Sequence, residues 1–169
     1  MTAPLIHHIG VLVPDLEEAI ERWTRITGYT FSPIARYRTP RYSDSSNTEP
    51  HDHDARISFS AEGPPYIELM EFHGNGTHSA EQGEGFHHFG FLDHPDVEGR
   101  LAELTEMGVR NDGQSISENG RVILWFTDKR DLDGIRLEYV STDIQPTVQD
   151  DGSPLPIGAD GKPSLWPVD

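Results

Sequence analysis

One stretch of this chain occurs twice. His7-His8-Ile9-Gly10, near the start, returns 80 residues later as His87-His88-Phe89-Gly90, and each copy lies among apolar residues. A Pro-Asp step and apolar residues at helical spacing follow both copies. An internal repeat constrains the architecture more than any other feature, because each copy is expected to form the same structural unit. The chain is therefore expected to fold as two similar halves, each of which brings a pair of histidines.

Charge and cysteine content exclude several classes of function. The 169 residues include 13 Lys and Arg against 29 Asp and Glu, which gives a formal net charge of −16. This balance argues against nucleic acid or an anionic membrane as a partner, since both require clustered basic residues. There is no cysteine, so a metal ion can be held only by histidine and carboxylate. Without a long apolar run or a leader-like segment, we expect a soluble cytoplasmic protein.

The apolar pattern predicts the same order of elements in both halves, namely a strand, a helix and three strands. The segment Thr39–Asp54 is polar and contains two prolines, so it is predicted to be a loop. Gly28 and Gly108 are predicted to end the two helices. The predicted strands are 5–13, 29–38, 56–60 and 66–72 in the first half, and 86–92, 109–116, 121–127 and 135–140 in the second.

The domain organisation follows from this reading. We predict a single domain over residues 1–141, made of one module at 5–73 and another at 85–141 with a linker at 74–84. Residues 142–169 contain five prolines and no periodicity. This tail is expected to be extended, either loose or lying over a neighbouring surface.

Alternation along the strands places one carboxylate of each half away from the core. Ile67 and Leu69 are the core positions of their strand, so Glu68 points the other way. Glu138 is opposite its own apolar neighbours for the same reason. Alternation does not decide between His7 and His8, or between His87 and His88. Two such halves facing each other would bring two imidazoles and two carboxylates together, a set that suits a divalent ion such as Zn, Ni, Co, Mn or Fe.

These motifs resemble the vicinal oxygen chelate superfamily, which includes glyoxalase I, methylmalonyl-CoA epimerase and extradiol dioxygenases. The resemblance covers residues 5 to 141 and is strongest at the two histidine motifs, at Ile67–Glu71 and at Asp133–Glu138. It implies an α+β fold in which two βαβββ modules form a cup-shaped, eight-stranded mixed sheet around one divalent metal ion. Carried over by motif position, the implied ligands are His8, Glu68, His88 and Glu138.

The resemblance also implies an activity. Members bind two neighbouring substrate oxygens to the metal and stabilise an enolate, while a carboxylate moves a proton. The expected function is an isomerase or epimerase acting on a small carbonyl compound, with Glu68 or Glu138 as the base. The alternatives are a glyoxalase-type lyase, an iron-dependent dioxygenase or ring-opening enzyme, and a binding protein without catalysis. A homodimer is expected by the same resemblance.

Substrate contacts are predicted from two groups of residues. Arg38, Arg41 and Arg56 could hold an acidic or phosphate-bearing part of the substrate, although such clusters more often form surface ion pairs. Trp125 and the adjacent Phe126 are expected to line the cup. The acidic segment His51–Asp54 is read as a solvated loop in preference to a metal site, and its charge disfavours a thioester of coenzyme A.

Overall fold

A computed structural model describes residues 3–167. The first half contains strand β1 (His8–Val13), helix α1 (Leu16–Thr27) and strands β2 (Ala35–Asp44), β3 (Asn47–Phe59) and β4 (Tyr66–Glu71). The second half contains β5 (Gly85–His94), α2 (Val97–Glu106), β6 (Asn111–Ile116), β7 (Val122–Thr127) and β8 (Arg136–Ser141). One further strand, β9 (Thr147–Gln149), lies in the tail. The predicted α+β class is confirmed.

The strands form one mixed sheet that curls into a cup. Their order is β3-β4-β1-β5-β8-β7-β6-β2-β9, and an additional β2–β3 pairing closes the ring. β1 runs parallel to β4 and β5 parallel to β8, whereas β1 and β5 are antiparallel and join the two halves. The predicted eight-stranded mixed cup is thus confirmed, with the short β9 added to it.

Each helix covers the outer face of its own half. Asp15 caps α1 by accepting a hydrogen bond of 2.8 Å from the Glu18 amide, and Gly28 ends the helix in the left-handed region at φ +78°. α1 packs Leu16 and Ala19 against Val13 and other apolar residues of the sheet. α2 packs against β7 and β8 in the same way. Because the helices occupy the outside, the inner face of the sheet is left free to form a cavity.

The prediction of a loop at 39–54 is wrong. This segment belongs to β2 and β3, which form one long antiparallel hairpin that turns at residues 44–47. The inward positions of β3 are occupied by small or polar residues such as His53 and Ala55, which hide the apolar alternation of a strand. Pro40 lies where the register between the strands shifts, so the ladder tolerates the missing amide hydrogen.

The tail folds back onto its own chain. The C-terminal end of β2 pairs with β6 at 42–44, while its N-terminal end, at 35–37, pairs with β9. The wall of the cup therefore has a gap between β2 and β6 at one end, and β9 lies in that gap. The tail lies over a neighbouring surface, which was one of the two expectations, and the surface that it covers is this gap. It is not extended throughout, because turns at 149–152 and 158–161 reverse its direction.

Candidate metal centre

The strand register brings the two halves of the site together. Across β4, β1 and β5, Glu68 lies opposite Gly10, and Gly10 lies opposite His88. Across β1, β5 and β8, His8 lies opposite Gly90, and Gly90 lies opposite Glu138. Residues in register on neighbouring strands point to the same face. Each carboxylate therefore faces the histidine of the other half across a glycine.

Those two glycines make the close approach possible. A methyl group added at Gly10 would overlap the ring of His88, and one added at Gly90 would overlap the ring of His8. Each half thus leaves a space for the imidazole of the other half. The glycine two residues after each histidine, visible in the repeat, has this packing role.

The four candidate ligands converge on one point. His8, Glu68, His88 and Glu138 are all buried, and each offers one ligand atom within 4.8 Å of the others. The two Nε2 atoms are 3.0 Å apart. His8 Nε2 lies 3.3 Å from Glu68 Oε2 and 2.9 Å from Glu138 Oε2, and the corresponding distances from His88 Nε2 are 3.3 and 3.5 Å. The open choice in the sequence is thereby decided, because the rings of His8 and His88 face this point.

The cluster is strongly coupled electrostatically. Burial alone would lower the pKa of His8, but the carboxylates of Glu68 and Glu138 outweigh it and raise that pKa to about 10. The pKa of His88 is raised by the same balance. Burial opposes ionisation of both glutamates, yet the facing imidazoles hold their pKa values below the usual range. Without a cation, protons on the imidazoles balance the carboxylates, so a bound cation would have to replace them.

A hydrogen-bonded chain fixes the proton on His88. His87 Nε2 lies 2.7 Å from the carbonyl oxygen of Thr77, which can only accept, so this nitrogen carries the proton. His87 Nδ1 is then an acceptor and takes the Nδ1 proton of His88 at 2.8 Å. Burial, and next the charge of His88, lower the pKa of His87 well below its usual value, which keeps this ring neutral. His88 Nε2 is thereby aimed at the cluster as a ligand atom.

His7 supports His8 as His87 supports His88, but it holds the ring less firmly. Nδ1 of His8 lies 3.0 Å from Nδ1 of His7, whose pKa is lowered by burial and then by the charge of His8. His7 is only half-buried and packs its ring against Tyr66, with ring centres 5.0 Å apart. The first histidine of each pair therefore supports the second.

The residues present fit a divalent metal ion. Bonds of 2.0–2.2 Å in a tetrahedral site place neighbouring ligand atoms about 3.4 Å apart. The five separations that involve an imidazole nitrogen are 2.9–3.5 Å, and the two glutamates offer oxygens within 4.8 Å of each other. Glu68 Oε2 is buried and has no hydrogen-bond partner among residues 3–167. A buried carboxylate oxygen without a donor is costly, and a cation at the centre of the cluster would satisfy it.

A cavity of about 430 Å³ opens directly above the cluster. Its floor contains His8, Glu68 and Glu138. Its walls are mainly apolar and include Ala55, Ile57, Phe59, Met70, Phe126 and Val140. A mostly apolar pocket with a few convergent polar groups is typical of small-molecule sites.

The expectation that Trp125 lines this cavity is corrected by the structure. Trp125 is fully buried on the outer side of the sheet, where its indole donates to the carbonyl oxygen of Val97 on α2 and stacks on Tyr139. Phe126, one position along β7, points inward and lines the cavity. Alternation along a strand forces one of two neighbours outward, and the sequence did not show which.

The structure places all three predicted arginines outside the lining of the cavity. Arg56 forms ion pairs with Glu17, Glu71 and Asp150 at 2.6–3.2 Å. The side chain of Arg38 is 62% exposed, and Arg41 lies half-buried on β2. For Arg56, the structure therefore favours a role in surface ion pairs over a substrate contact.

Several residues at the site escaped sequence reasoning. Thr77 acts through its carbonyl oxygen, which any residue offers, so no sequence signal could reveal it. His53 is buried, with its ring stacked on Tyr42 at 4.1 Å, and burial, followed by the nearby His73, lowers its pKa to about 3. The tail contributes Leu155 and Leu165 to the cavity.

Comparison with known proteins relates this arrangement to a family. Residues 7–124 match the family model described as the glyoxalase/bleomycin resistance protein/dioxygenase superfamily. Among curated proteins, no match was found.

Solved structures share the fold at low identity. A hypothetical protein from Bacillus halodurans is 20% identical, with 85% of this chain and 98% of that chain covered and a TM-score of 0.58. A variant of Streptomyces coelicolor methylmalonyl-CoA epimerase, in complex with 2-nitronate-propionyl-CoA, is 21% identical, with 85% and 99% covered and a TM-score of 0.57. The Mycobacterium tuberculosis methylmalonyl-CoA epimerase is 18% identical, with 85% and 93% covered and a TM-score of 0.53.

Among residues 3–167, no helix combines the length and the apolar character needed to cross a membrane.

Proposed function

Because this chain belongs to the glyoxalase/bleomycin resistance protein/dioxygenase superfamily, we propose that it is a divalent-metal-dependent enzyme that moves a proton at a carbon next to a carbonyl group. One observation carries the proposal: two histidines and two glutamates converge at the buried floor of an apolar cavity. The cavity supplies a place for a substrate, and the cluster supplies both a cation site and a carboxylate base beside it.

The residues divide into two roles. His8, His88 and Glu138 would hold the ion, which when bound acts as a Lewis acid towards two neighbouring substrate oxygens. Glu138 Oε2 is 2.9 Å from His8 Nε2, whereas Glu68 Oε2 is 3.3 Å from each Nε2 and makes no well-aligned hydrogen bond among the described residues. Glu68 is thus the less firmly held carboxylate, and we assign to it the transfer of the substrate proton.

The apolar walls support this chemistry. They exclude water from the floor of the cavity, which strengthens electrostatic interactions there and protects a carbanion-like transition state from solvent. The isomerase or epimerase class is favoured over an oxygen-using enzyme because the cluster contains a second carboxylate, Glu68, beyond the two histidines and one carboxylate of the facial set of iron oxygenases. That second carboxylate supplies the base that a proton transfer needs. A glyoxalase-type lyase uses the same proton transfer and is the second candidate.

The metal requirement is tested by the metal content of protein purified without chelator or affinity metal. The wild type should hold about one equivalent of a divalent ion, and His88→Ala should lose it. His94→Ala is the matched control, since His94 lies outside the cluster. Wild-type protein that neither contains metal nor gains thermal stability from added Zn, Ni, Co, Mn or Fe would contradict the proposal.

The proton transfer is tested with a probe that carries two neighbouring carbonyl groups. Metal-loaded protein is incubated with 1-phenyl-1,2-propanedione in D₂O, and deuterium in the terminal methyl group is followed by NMR. Glu68→Gln should lower the exchange rate about 100-fold or more, because a positioned general base contributes 10²–10⁴-fold. Exchange that is equally fast in the wild type, in Glu68→Gln and without protein would leave a binding protein as the better description.

A further inference from the structure

The tail builds one side of the cavity. Residues 142–167 line it through Ile144, Gln145, Thr147, Leu155, Pro163 and Leu165, in addition to three charged or polar side chains at the rim. Leu155 and Leu165 pack against the same core cluster that contains Ala55, Ile57 and Met70. The apolar interior of the cup therefore continues without interruption into the tail.

Specific bonds hold this segment in place. β9 pairs with β2, and the carbonyl oxygen of Pro146 accepts from the Arg38 amide at 2.8 Å. The hydroxyl of Tyr37, which itself lines the cavity, donates to Gln145 Oε1 at 3.1 Å. The carboxylate of Asp150 forms ion pairs with Arg36 and Arg56 at 3.0–3.2 Å. The tail is thus an ordered wall of the cavity, fixed at its start and at its middle.

The charges around the cavity select against anions. Lys162 is the only Lys or Arg side chain among the lining residues of the described chain, and it is exposed. Four carboxylates lie among the lining residues, at the floor (Glu68 and Glu138) and at the rim (Asp93 and Asp143). Arg36 and Arg56, which contact the tail, pair with carboxylates outside the cavity, and Arg121 pairs with Asp143 at the rim at 3.3 Å. A divalent ion would balance the floor, but the described lining offers only one exposed lysine at the rim to balance phosphates or a second carboxylate of a ligand.

The volume of the cavity suits a small molecule, since 430 Å³ lies within the range of about 300–1,000 Å³ that is typical of ligand pockets. A small ring with a dicarbonyl group fills this space. Coenzyme A is much larger, and most of it would have to lie outside, against an acidic rim.

We propose that residues 142–167 complete a binding site for an uncharged, mainly apolar compound with two neighbouring oxygens, a substrate class that rests on the proposed function for its carbonyl group. The apolar walls take the hydrocarbon part, and the cluster takes the oxygens. The tail sets the selection, because it closes the gap in the cup mainly with apolar side chains such as Ile144, Leu155 and Leu165 and adds a single lysine at the rim.

The selection is tested by equilibrium binding to the metal-loaded protein, with no turnover required. Calorimetry compares 1-phenyl-1,2-propanedione with phenylpyruvate, which has a similar size and carries a carboxylate. The neutral compound should bind at least 10-fold more tightly. Equal or tighter binding of phenylpyruvate, tighter binding of propionyl-CoA, or no measurable binding of the diketone would overturn the proposal.

The contribution of the tail is tested by a matched pair of variants. Leu165→Asp should weaken diketone binding at least 10-fold, whereas Ile157→Asp, in the same segment but 56% exposed and outside the lining, should leave it unchanged. If Leu165→Asp does not fold, as judged by circular dichroism, Leu155→Ala takes its place with an expected weakening of about 5-fold. Unchanged affinity in the folded variant would show that the tail is not part of the site.

The binding and exchange experiments together test the two proposals separately. Selective binding of the diketone without deuterium exchange would support the proposed ligand class and contradict the proposed enzymatic activity. Deuterium exchange together with tighter binding of phenylpyruvate or propionyl-CoA would support the activity and contradict the ligand class.

Discussion

The two halves of the molecule present the same candidate ligands, one histidine and one glutamate each, in different surroundings. In the second half, His88 is completely buried, and its partner His87 is tied to the Thr77 carbonyl oxygen. In the first half, His8 is equally buried, but its partner His7 is half-exposed and packs on Tyr66. The repeat thus supplies the ligands twice, whereas the firm support is supplied once, by a segment that lies outside the repeat.

The halves also differ in their hairpins. β2 and β3 are 10 and 13 residues long, while β6 and β7 have 6 residues each. The longer hairpin provides one wall of the cavity, the edge on which the tail is docked, and the buried His53. We infer that the second half holds the metal site rigidly and that the first half, with the tail, shapes the ligand cavity.

The largest expected effect comes from substituting Gly10 and Gly90, which leave room for a histidine ring of the opposite half. Gly10→Ala places a methyl group in the ring of His88, and Gly90→Ala places one in the ring of His8. Each should lower the free energy of unfolding of the metal-free protein by about 1–3 kcal/mol. Each should also reduce the metal content of the protein as purified. Gly10→Ala should cost more, because His88 is tied to a buried partner and cannot move aside. Urea unfolding measures the difference.

The control for these variants is Gly158→Ala in the tail, where the nearest atom to the added methyl is an Asp160 side-chain oxygen at 3.2 Å. Its stability should stay close to that of the wild type. A larger loss in Gly90→Ala than in Gly10→Ala would reverse the proposed difference between the halves.

The second effect concerns the supporting histidines. His87→Phe removes the acceptor that orients His88 and should weaken metal affinity by about 10- to 100-fold. His7→Phe should have a smaller effect, because the ring of His7 is less confined. Competition with a coloured chelator measures both, and His94→Phe serves as the control. Equal losses in the two variants would mean that burial of the supporting ring does not matter.

The third expected effect is a loss of folding stability at acidic pH. The pKa of His53, lowered to about 3 by burial and by His73, lies below that of an unfolded histidine, about 6.5. The unfolded state therefore binds more protons between these values, so stability is complete above pH 6.5 and is lost as the pH falls towards 3. The slope from this residue is about 1.4 kcal/mol per pH unit. His53→Phe keeps a ring against Tyr42 and should flatten the fall in melting temperature between pH 6.5 and 5. An unchanged slope would show that His53 is not the titrating group.

The smallest effect is expected at the outer edge of the first half. Arg56→Met removes ion pairs with Glu17, Glu71 and Asp150, which are partly exposed. The loss in stability should be about 1 kcal/mol at low salt and should shrink as salt is added, since exposed ion pairs are weak and screened. Metal content should not change. A large loss of diketone binding in this variant would show that Arg56 contacts the substrate, as the sequence suggested.

The candidate ligand set was only partly accessible from the residues themselves. The repeat and the two-residue period of strands are local properties that indicated Glu68, Glu138 and one histidine of each pair, whereas the choice of His8 and His88 came from the family resemblance. His8, Glu68, His88 and Glu138 occupy equivalent positions, and the glycine after each histidine marks the space that the other half requires. The middle of the β2–β3 hairpin, at 39–54, was wrongly predicted as a loop because its pattern is not that of a typical strand. Its inward positions carry histidine and alanine, which do not resemble the apolar alternation of a strand.

By itself, the sequence determined the two-fold plan of strand, helix and three strands, the residues available to hold a metal ion, and the absence of thiolate ligands. Only the tertiary structure decided which histidine of each pair faces the cluster, which of Trp125 and Phe126 lines the cavity, and what the tail covers. These outcomes depend on strand register and on contacts between segments far apart in the chain. A shift of one residue in register would turn every side chain of a strand to the other face, and no local pattern shows which neighbour a strand or a tail will meet.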